Sequence, residues 1–186
     1  RVCPFDIPEV SEVAEISSAL CQGCGVCAAE CPGNAIVMAG YMLDALKNDV
    51  DAALAALNGA AKKLVVFVSG HHAPAALWGG SRSDLPPGAR EIYLPSLTRL
   101  SAHEMIYPFE AGADGVLVLQ CERGADRYPG VDARLARRFD LARETLAEIG
   151  ISPERVQLKY GLAGDAEASA AAVREMMEAL LTERKS

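Results

Sequence analysis

The stretch Cys21-Gln-Gly-Cys24-Gly-Val-Cys27-Ala-Ala-Glu-Cys31-Pro32 decides how the first part of this chain folds. Its four cysteines are separated by two, two and three residues. A fifth cysteine, Cys3, lies 18 positions before Cys21 and is also followed by proline. Cysteines spaced this closely, with no secretory signal before them, indicate a metal site and not a disulfide framework. The glycines of the stretch allow the backbone to fold tightly around the thiolates.

The spacing C-x2-C-x2-C-x3-C-P is the run of bacterial ferredoxins, which binds a [4Fe-4S] cluster. In two-cluster ferredoxins the last cysteine of a run ligates the other cluster. We therefore predict that Cys3, Cys21, Cys24 and Cys27 hold one complete cluster. Cys31 would then reach toward a second cluster, whose other ligands lie upstream of the chain. The alternative is a structural zinc site, but zinc sites usually pair two CxxC arms across a longer gap.

Three zones are predicted along the 186 residues. Residues 1–38 form the C-terminal half of a two-cluster ferredoxin module, with Ile36 and Val37 in a short strand that shields the cluster. Residues 39–61 form a helical linker, because apolar residues recur there at three- and four-residue steps. Residues 62–186 form an α/β domain. Since the cysteine motif follows Arg1 almost directly, we expect a fragment of a longer polypeptide, a processed terminus being the alternative.

The α/β prediction rests on short apolar runs that alternate with helical patterns. The runs Leu64–Val68, Glu91–Leu94, Gly115–Leu119 and Arg155–Tyr160 have the length and composition of strands, the first being typical of a buried parallel strand. Helical patterns lie at about residues 101–111, 131–149 and 166–183, and Gly150 is the expected stop of the second. This order predicts a mostly parallel sheet with helices on both faces, a three-layer α/β domain.

Residues 62–183 resemble the delta subunit of methyl-viologen-reducing hydrogenase. The resemblance rests on Leu64-Val-Val-Phe67, Glu110-Ala-Gly-Ala-Asp-Gly-Val-Leu-Val-Leu119, Cys121-x2-Gly124 with Tyr128, and Glu148-Ile-Gly-Ile-Ser-Pro-Glu-Arg-Val156. The order of ferredoxin run, helical linker and delta-like domain is also similar to the C-terminal part of heterodisulfide reductase A-like iron–sulfur flavoproteins. The B subunit of the quinone-interacting membrane-bound oxidoreductase is one such protein.

The chain departs from this family at the family's [2Fe-2S] ligands. Members place cysteines after the first strand, after the second strand and in a Gly-Cys-x2-Gly-x-Cys-His-Tyr segment. Here these positions hold Phe67-Val-Ser-Gly-His-His72, Ser96, and Cys121 with Asp126 in place of its partner. The resemblance therefore implies that this domain has no [2Fe-2S] cluster. His71, His72, Cys121 and Asp126 form either a substitute metal site or, as we favour, relics lining an empty crevice, with Cys121 as an apolar filler.

Charge and hydropathy exclude several classes of function. The net charge of −7 disfavours binding to nucleic acid. The basic cluster Arg134, Arg137 and Arg138 has helical spacing and indicates a solvated face. Apolar runs are far too short to cross a bilayer, so we expect a cytoplasmic protein, possibly peripheral to a membrane complex. No nucleophile constellation and no dinucleotide fingerprint stand out, so we expect no catalytic site within this chain.

The resemblance implies an electron-transfer segment of an oxidoreductase complex. Its [4Fe-4S] cluster would relay electrons between an upstream flavin, FAD in this family, and a partner subunit that docks on the α/β domain. The missing [2Fe-2S] ligands favour a quinone-interacting subunit over a hydrogenase-coupled one. The alternative function is a non-redox assembly module with a structural cluster. We expect the aromatic residues, which are Trp78, Tyr93, Tyr107, Phe109 and Tyr128, to lie in the core or at interfaces.

Overall fold

The cysteine segment, residues 2–38, has little regular structure. The structure is a computed structural model that describes residues 2–33, 35–38, 43–70, 85–161 and 165–183. Strands β1 (Glu9–Val10) and β2 (Ala14–Glu15) pair in an antiparallel hairpin. Helix α1 (Val26–Ala29) begins inside the cysteine run. Gly23 and Gly25 have φ angles of 68° and 76°, so the loop between Cys21 and α1 uses the left-handed conformation that glycine tolerates best.

The predicted strand at Ile36 and Val37 is wrong. Both residues lie outside any strand, and only Met38 forms an isolated bridge. A strand persists only when its N–H and C=O groups find a partner strand. Within the described part of the chain, no strand pairs with residues 36–37. Val37 is 47% exposed, so its apolar side chain is not covered by the rest of the described chain.

A four-stranded parallel sheet, counted within the described residues, forms the centre of the α/β part. Its strands are β3 (Leu64–Ser69), β4 (Ala89–Leu94), β5 (Gly115–Gln120) and β6 (Val156–Tyr160). They lie in the order β4-β3-β5-β6, and each neighbouring pair is parallel. Every residue of β3 and β5 is buried, as expected for central strands covered on both faces. The predicted fold class is confirmed.

Helices cover both faces of the sheet. Helix α2 (Leu43–Ala55), helix α3 (Ala102–Glu110) and helix α4 (Val131–Glu148) contribute to one core with alternate residues of β3 and β5. Helix α5 (Ala166–Thr182) packs on the opposite face, where Val173, Met176 and Leu180 meet Leu64, Val66 and Leu117. The division between faces follows from the two-residue period of side chains along a strand. No described helix is long and apolar enough to span a membrane.

The helix ends follow local sequence signals. Ser101 and Glu104 form a capping box at the start of α3, with the Ser101 backbone N–H donating to the Glu104 carboxylate over 2.7 Å. Gly150, with a φ of 81°, lies beyond the end of α4, as predicted. Because all four strands are parallel, the loops after β4 and β5 leave the sheet at the same edge. These two loops, residues 95–101 and 121–130, contact the cysteine segment.

We predict that Leu117→Ala lowers the free energy of unfolding by about 2–5 kcal/mol. Leu117 lies in the central strand β5, and its fully buried side chain packs between the sheet and α5. Leu181→Ala is the matched control, since Leu181 is 55% exposed at the end of α5. It should change stability by no more than about 0.5 kcal/mol. Urea unfolding followed by circular dichroism measures both. Equal losses in the two variants would contradict the assignment of Leu117 to the core.

Candidate metal centre

Four cysteines of the cysteine segment lie close enough to influence one another. Burial raises the pKa of the Cys24 thiol, and the nearby Cys3 and Cys21 raise it further. Burial likewise raises the pKa of Cys27, with added contributions from Cys24 and Cys21. Cys21 is exposed, and the other three are partly buried. These mutual effects on pKa link Cys3, Cys21, Cys24 and Cys27, and their assignment as the ligands of one cluster stays a prediction.

Backbone N–H groups of the loop point at two of these sulfurs. The N–H groups of Val26 and Ala28 favour the thiolate forms of Cys24 and Cys27, which partly offsets the effect of burial on their pKa values. Such amide-to-sulfur hydrogen bonds, together with burial, set the reduction potential of an iron–sulfur cluster. The arrangement of thiols and amides therefore fits a [4Fe-4S] cluster.

A single metal ion fits these side chains less well. Among the residues that the structure describes, no group of three or more His, Cys, Asp or Glu side chains is placed so that it could hold one ion. A structural zinc ion requires four ligands directed at one point. A cubane cluster instead presents four irons, each bound by one thiolate, so its ligands surround a volume.

Cys31 lies at the far end of α1, on the wall of an open groove. Its Sγ accepts a hydrogen bond from the N–H of Ala35 over 3.3 Å. The groove has a volume of about 1020 Å³ and is lined by the end of α1, by residues 36–38, by the first turns of α2 and α3, and by the face of α4 that runs from Ala133 to Glu144. Cys31 is therefore separated along the helix from the loop that presents Cys21 and Cys24, and it borders a cavity large enough for further protein.

The loops after β4 and β5 hold the cysteine loop by its carbonyl groups. Thr98, in a short 3₁₀ turn after β4, donates its hydroxyl to the carbonyl oxygen of Cys24. Tyr128, in the loop after β5, donates its hydroxyl to the carbonyl oxygen of Gln22 over 3.0 Å. The Tyr128 ring also meets the Phe5 ring edge-on, with centroids 6.4 Å apart. Tyr128 is thus an interface aromatic residue, in agreement with the sequence-based expectation.

Gly25 lets the cysteine loop approach the 3₁₀ turn closely. A Cβ atom at position 25 would lie 2.7 Å from Cβ of Arg99 and 2.6 Å from Sδ of Met38. The first of these distances involves an atom next to the backbone, which cannot swing away. A glycine is therefore needed for close contact as well as for the positive φ.

An ion pair joins the end of α1 to helix α4. Both Arg137 and Arg138 reach the Glu30 carboxylate at 2.8 Å, and Arg138 also donates to the carbonyl oxygens of Thr98 and Leu100. Although its partial burial raises the pKa of Glu30, the hydrogen bonds and charges of these two arginines lower it below its ordinary value. The prediction of a solvated basic face is wrong for Arg138, which is only 5% exposed.

Ser96 and Asp126, at two of the positions where the resemblance implies [2Fe-2S] ligands, form hydrogen bonds with neighbouring groups. Asp126 contacts the Ser96 hydroxyl at 3.4 Å and accepts from Gln120 Nε2 at 3.1 Å and from the Tyr128 N–H at 2.9 Å. Cys121 is 2% exposed. Burial, followed by the charges of Asp126 and Asp132, raises the pKa of its thiol to about 11. His71 and His72 lie outside the described residues.

Sequence reasoning missed Thr98, Arg138 and the role of Asp126. Arg138 had a usable signal, because it falls on the buried face of α4 with Val131, Leu135, Ala142 and Leu146, at three- and four-residue steps. Thr98 and Asp126 carry no such signal, since Thr98 binds Cys24 across 74 residues and Asp126 contacts Ser96 across 30 residues.

Two protein families match the chain. Residues 64–182 match the family described as Methyl-viologen-reducing hydrogenase, delta subunit. Residues 14–37 match the family described as 4Fe-4S binding domain. The first match covers more than half of the 186 residues.

Several relatives are similar over about half of the chain. The iron–sulfur D subunit of the F420-non-reducing hydrogenase from Archaeoglobus profundus is 34% identical over 82 residues, which are 44% of this chain and 60% of that protein. The vhu iron–sulfur D subunit of the corresponding hydrogenase from Methanopyrus kandleri is 31% identical over 104 residues, 56% of this chain and 79% of that protein. The A subunit of the Ferredoxin/F(420)H(2)-dependent CoB-CoM heterodisulfide reductase from Methanosarcina acetivorans is 29% identical over 109 residues, 59% of this chain but 14% of that protein.

We predict that Arg138→Ala lowers the free energy of unfolding by about 1.5–3 kcal/mol, because it removes a buried charged donor from the carbonyl oxygens of Thr98 and Leu100, whereas Glu30 keeps Arg137. Arg143→Ala, which breaks the exposed pair between Arg143 and Glu154, is the control and should cost no more than about 1 kcal/mol. Urea denaturation measures both. A loss for Arg138→Ala as small as that of the control would contradict this role of Arg138.

We predict that Cys121 resists maleimide in the native cluster-free chain at pH 8, since its thiol is buried and, with a pKa of about 11, stays protonated. Labelling followed by mass spectrometry should find Cys121 modified only after denaturation, and Cys121→Ala should label natively as the wild type does. Rapid native labelling of Cys121 would contradict its placement.

Proposed function

The chain belongs to the family of the methyl-viologen-reducing hydrogenase delta subunit, and we propose on this premise that it relays electrons through one [4Fe-4S] cluster. The ligands in this proposal are Cys3, Cys21, Cys24 and Cys27. A bound [4Fe-4S] cluster takes up and releases one electron. The observation that carries the proposal is the cysteine run itself, whose backbone amides favour the thiolate forms of Cys24 and Cys27 and whose thiols act on one another. The match of residues 14–37 to a 4Fe-4S binding domain supports it.

The protein's own residues supply the surroundings that such a cluster needs. The Tyr128 ring meets the Phe5 ring edge-on, and burial together with the charges of Cys24 and Cys21 raises the pKa of the Tyr128 hydroxyl, which places this ring near the thiols. The N–H groups of Val26 and Ala28 favour negative charge on the sulfurs. Cys21 stays exposed, which leaves one side of the site open for an electron donor or acceptor.

Cys31 belongs, in this proposal, to a second cluster completed by thiolates from outside this chain. Its position on the wall of the open groove supports this role. The exposed apolar Val37 and the unpaired residues 36–37 lie on the same groove. A further ferredoxin half, pairing with residues 36–37, would cover them and bring its own cysteines near Cys31.

The electron path is proposed to run between an upstream FAD domain and a partner subunit that docks on the α/β domain. The similarity to the A subunit of a heterodisulfide reductase, of which this chain spans 14%, supports a longer flavoprotein as the parent. Hydrogen bonding of Ser96 and Asp126 where the family has cluster cysteines supports an α/β domain that binds partners without a [2Fe-2S] cluster of its own. A quinone-interacting complex in the cytoplasm, peripheral to a membrane, fits this loss best.

A non-redox assembly module with a structural cluster is the second candidate. The observation that favours it is the number of anchors on the cysteine segment: Thr98, Tyr128 and Arg138 all bind it directly. Such anchoring would serve a cluster that only holds the segment in place. Reversible reduction separates the two candidates, because a purely structural cluster need not survive a change of charge.

We predict about four irons and four acid-labile sulfides per reconstituted chain, with a [4Fe-4S] EPR signal after reduction and no [2Fe-2S] signal. Cys3→Ser should lose most of the cluster, because it removes one of four ligands. Cys31→Ser and Cys121→Ser are matched controls and should retain it. Iron and sulfide assays with EPR measure all three.

Three outcomes would contradict the proposal. Full cluster content in Cys3→Ser together with loss in Cys31→Ser would move the fourth ligand to Cys31. A cluster that is destroyed by the first reduction, instead of cycling reversibly, would favour the assembly module. Two additional irons per chain would show that the α/β domain holds a cluster after all.

A further inference from the structure

The carboxylate of Asp126 joins the two loops that hold the cysteine loop. Its oxygens accept from the Tyr128 N–H and from Gln120 Nε2, at 2.9 and 3.1 Å, and lie 3.4 and 3.5 Å from the Ser96 hydroxyl. Ser96 in turn accepts the Thr98 N–H over 3.2 Å. Ser96 and Thr98 follow β4, whereas Asp126 and Tyr128 follow β5. The network therefore ties the two loops to each other through one charged group.

Each loop then delivers one hydroxyl to the cysteine loop. Thr98 binds the carbonyl oxygen of Cys24, and Tyr128 binds that of Gln22. Ser96, Thr98 and Gln120 are at most 3% exposed, so these members of the network are shielded from water, whereas Asp126 itself is half-buried. Shielding from water strengthens the hydrogen bonds that the buried members make. Asp126 itself does not touch the cysteine loop in the described contacts and reaches it through Tyr128 on one path and through Ser96 and Thr98 on the other.

We propose that Asp126 is a positioning residue for the metal centre: through Tyr128 and Ser96 it fixes the loop that carries the cluster cysteines. This inference rests on the proposed function, in which that loop holds a [4Fe-4S] cluster. The chemistry of the carboxylate suits this position. Its two oxygens face donors from Ser96, Gln120 and Tyr128, and charge-assisted hydrogen bonds are the stronger ones. An asparagine there has one acceptor oxygen and would turn an NH2 group toward at least one of these donors.

The orientation of the cysteine loop matters because peptide groups are rigid. In a trans peptide the C=O and the following N–H point in opposite directions. Binding the carbonyls of Gln22 and Cys24 therefore also sets the direction of the Gly23 and Gly25 N–H groups. The same loop leads into α1, whose first N–H groups favour the thiolates of Cys24 and Cys27. Loosening the loop weakens amide-to-sulfur hydrogen bonds, which stabilise the more negative reduced cluster.

The test compares Asp126→Asn with Tyr128→Phe and Thr98→Val. Two readouts are taken on the whole chain: amide hydrogen exchange of residues 19–27, and the midpoint potential from an EPR-monitored redox titration. We expect faster exchange and a more negative potential in all three variants. We also expect the effect of Asp126→Asn to be much smaller in a Tyr128→Phe, Thr98→Val background, because Asp126 acts through these residues.

Two matched controls lie nearby. Asp132 accepts the Gly124 N–H over 2.7 Å within the loop after β5 and makes no described contact with the cysteine segment, so Asp132→Asn should leave both readouts unchanged. Thr145 donates its hydroxyl to Leu141 within α4, which makes Thr145→Val the control for Thr98→Val. Unchanged exchange and potential in Asp126→Asn would overturn the inference. So would an equal change in Asp132→Asn, or full additivity with the double variant.

The inference and the proposed function fail in different ways. If the wild-type chain binds no cluster, the proposed function fails, while hydrogen exchange on the cluster-free chain still measures the positioning. If circular dichroism shows that Asp126→Asn does not fold, Tyr128→Phe tests the path through Tyr128 instead. This variant keeps the hydrogen bond from the Tyr128 N–H to Asp126 and removes only the hydroxyl that binds Gln22. Wild-type exchange of residues 19–27 in a folded Tyr128→Phe chain would then reject the path through Tyr128.

Discussion

The attachment of the cysteine segment to one edge of the parallel sheet is the constraint on which the metal centre depends. The segment leaves many apolar side chains exposed, among them Val10 at 79% and Val13 at 63%, and Val26 is its fully buried apolar residue among those described. So short a stretch cannot bury enough surface to order itself. Its order therefore comes from groups of the α/β part: two hydroxyls on loop carbonyls, two arginines on Glu30, and the close approach of Gly25 to Arg99.

The fold is largely predictable because its signals are local. The runs from Leu64 and Gly115 are continuous and apolar, and both form strands buried on both faces. The match of residues 14–37 to a 4Fe-4S binding domain likewise follows from the local spacing of the cysteines. The contacts between segments do not, since they join residues far apart in sequence. The prediction that Arg138 lies on a solvated face was wrong because it weighed the charge of the side chain above its position on the helix. The strand predicted at residues 36–37 was wrong because these residues have no partner strand in the described part of the chain.

The positions at which the resemblance implies [2Fe-2S] ligands still meet in this fold, although they hold other side chains. Ser96 lies in the loop after β4 and Asp126 in the loop after β5, and the two side chains are in contact. The bond between them is a hydrogen bond, extended by Gln120 and Tyr128. An edge of parallel strands brings side chains together whatever those side chains are. The same convergence that suits thiolates around iron also suits donors around a carboxylate.

The docking of the cysteine loop on the ends of β4 and β5 has a consequence for the order of events during synthesis. The cysteine run leaves the ribosome well before its anchors Thr98 and Tyr128, because their hydrogen bonds to it span 74 and 106 positions. These anchors have their final geometry only after β4 and β5 have paired with β3, and such long-range pairing is slow. The cysteine loop is therefore synthesised early but reaches its final geometry late. Iron and sulfide would best be delivered after β4 and β5 have paired with β3.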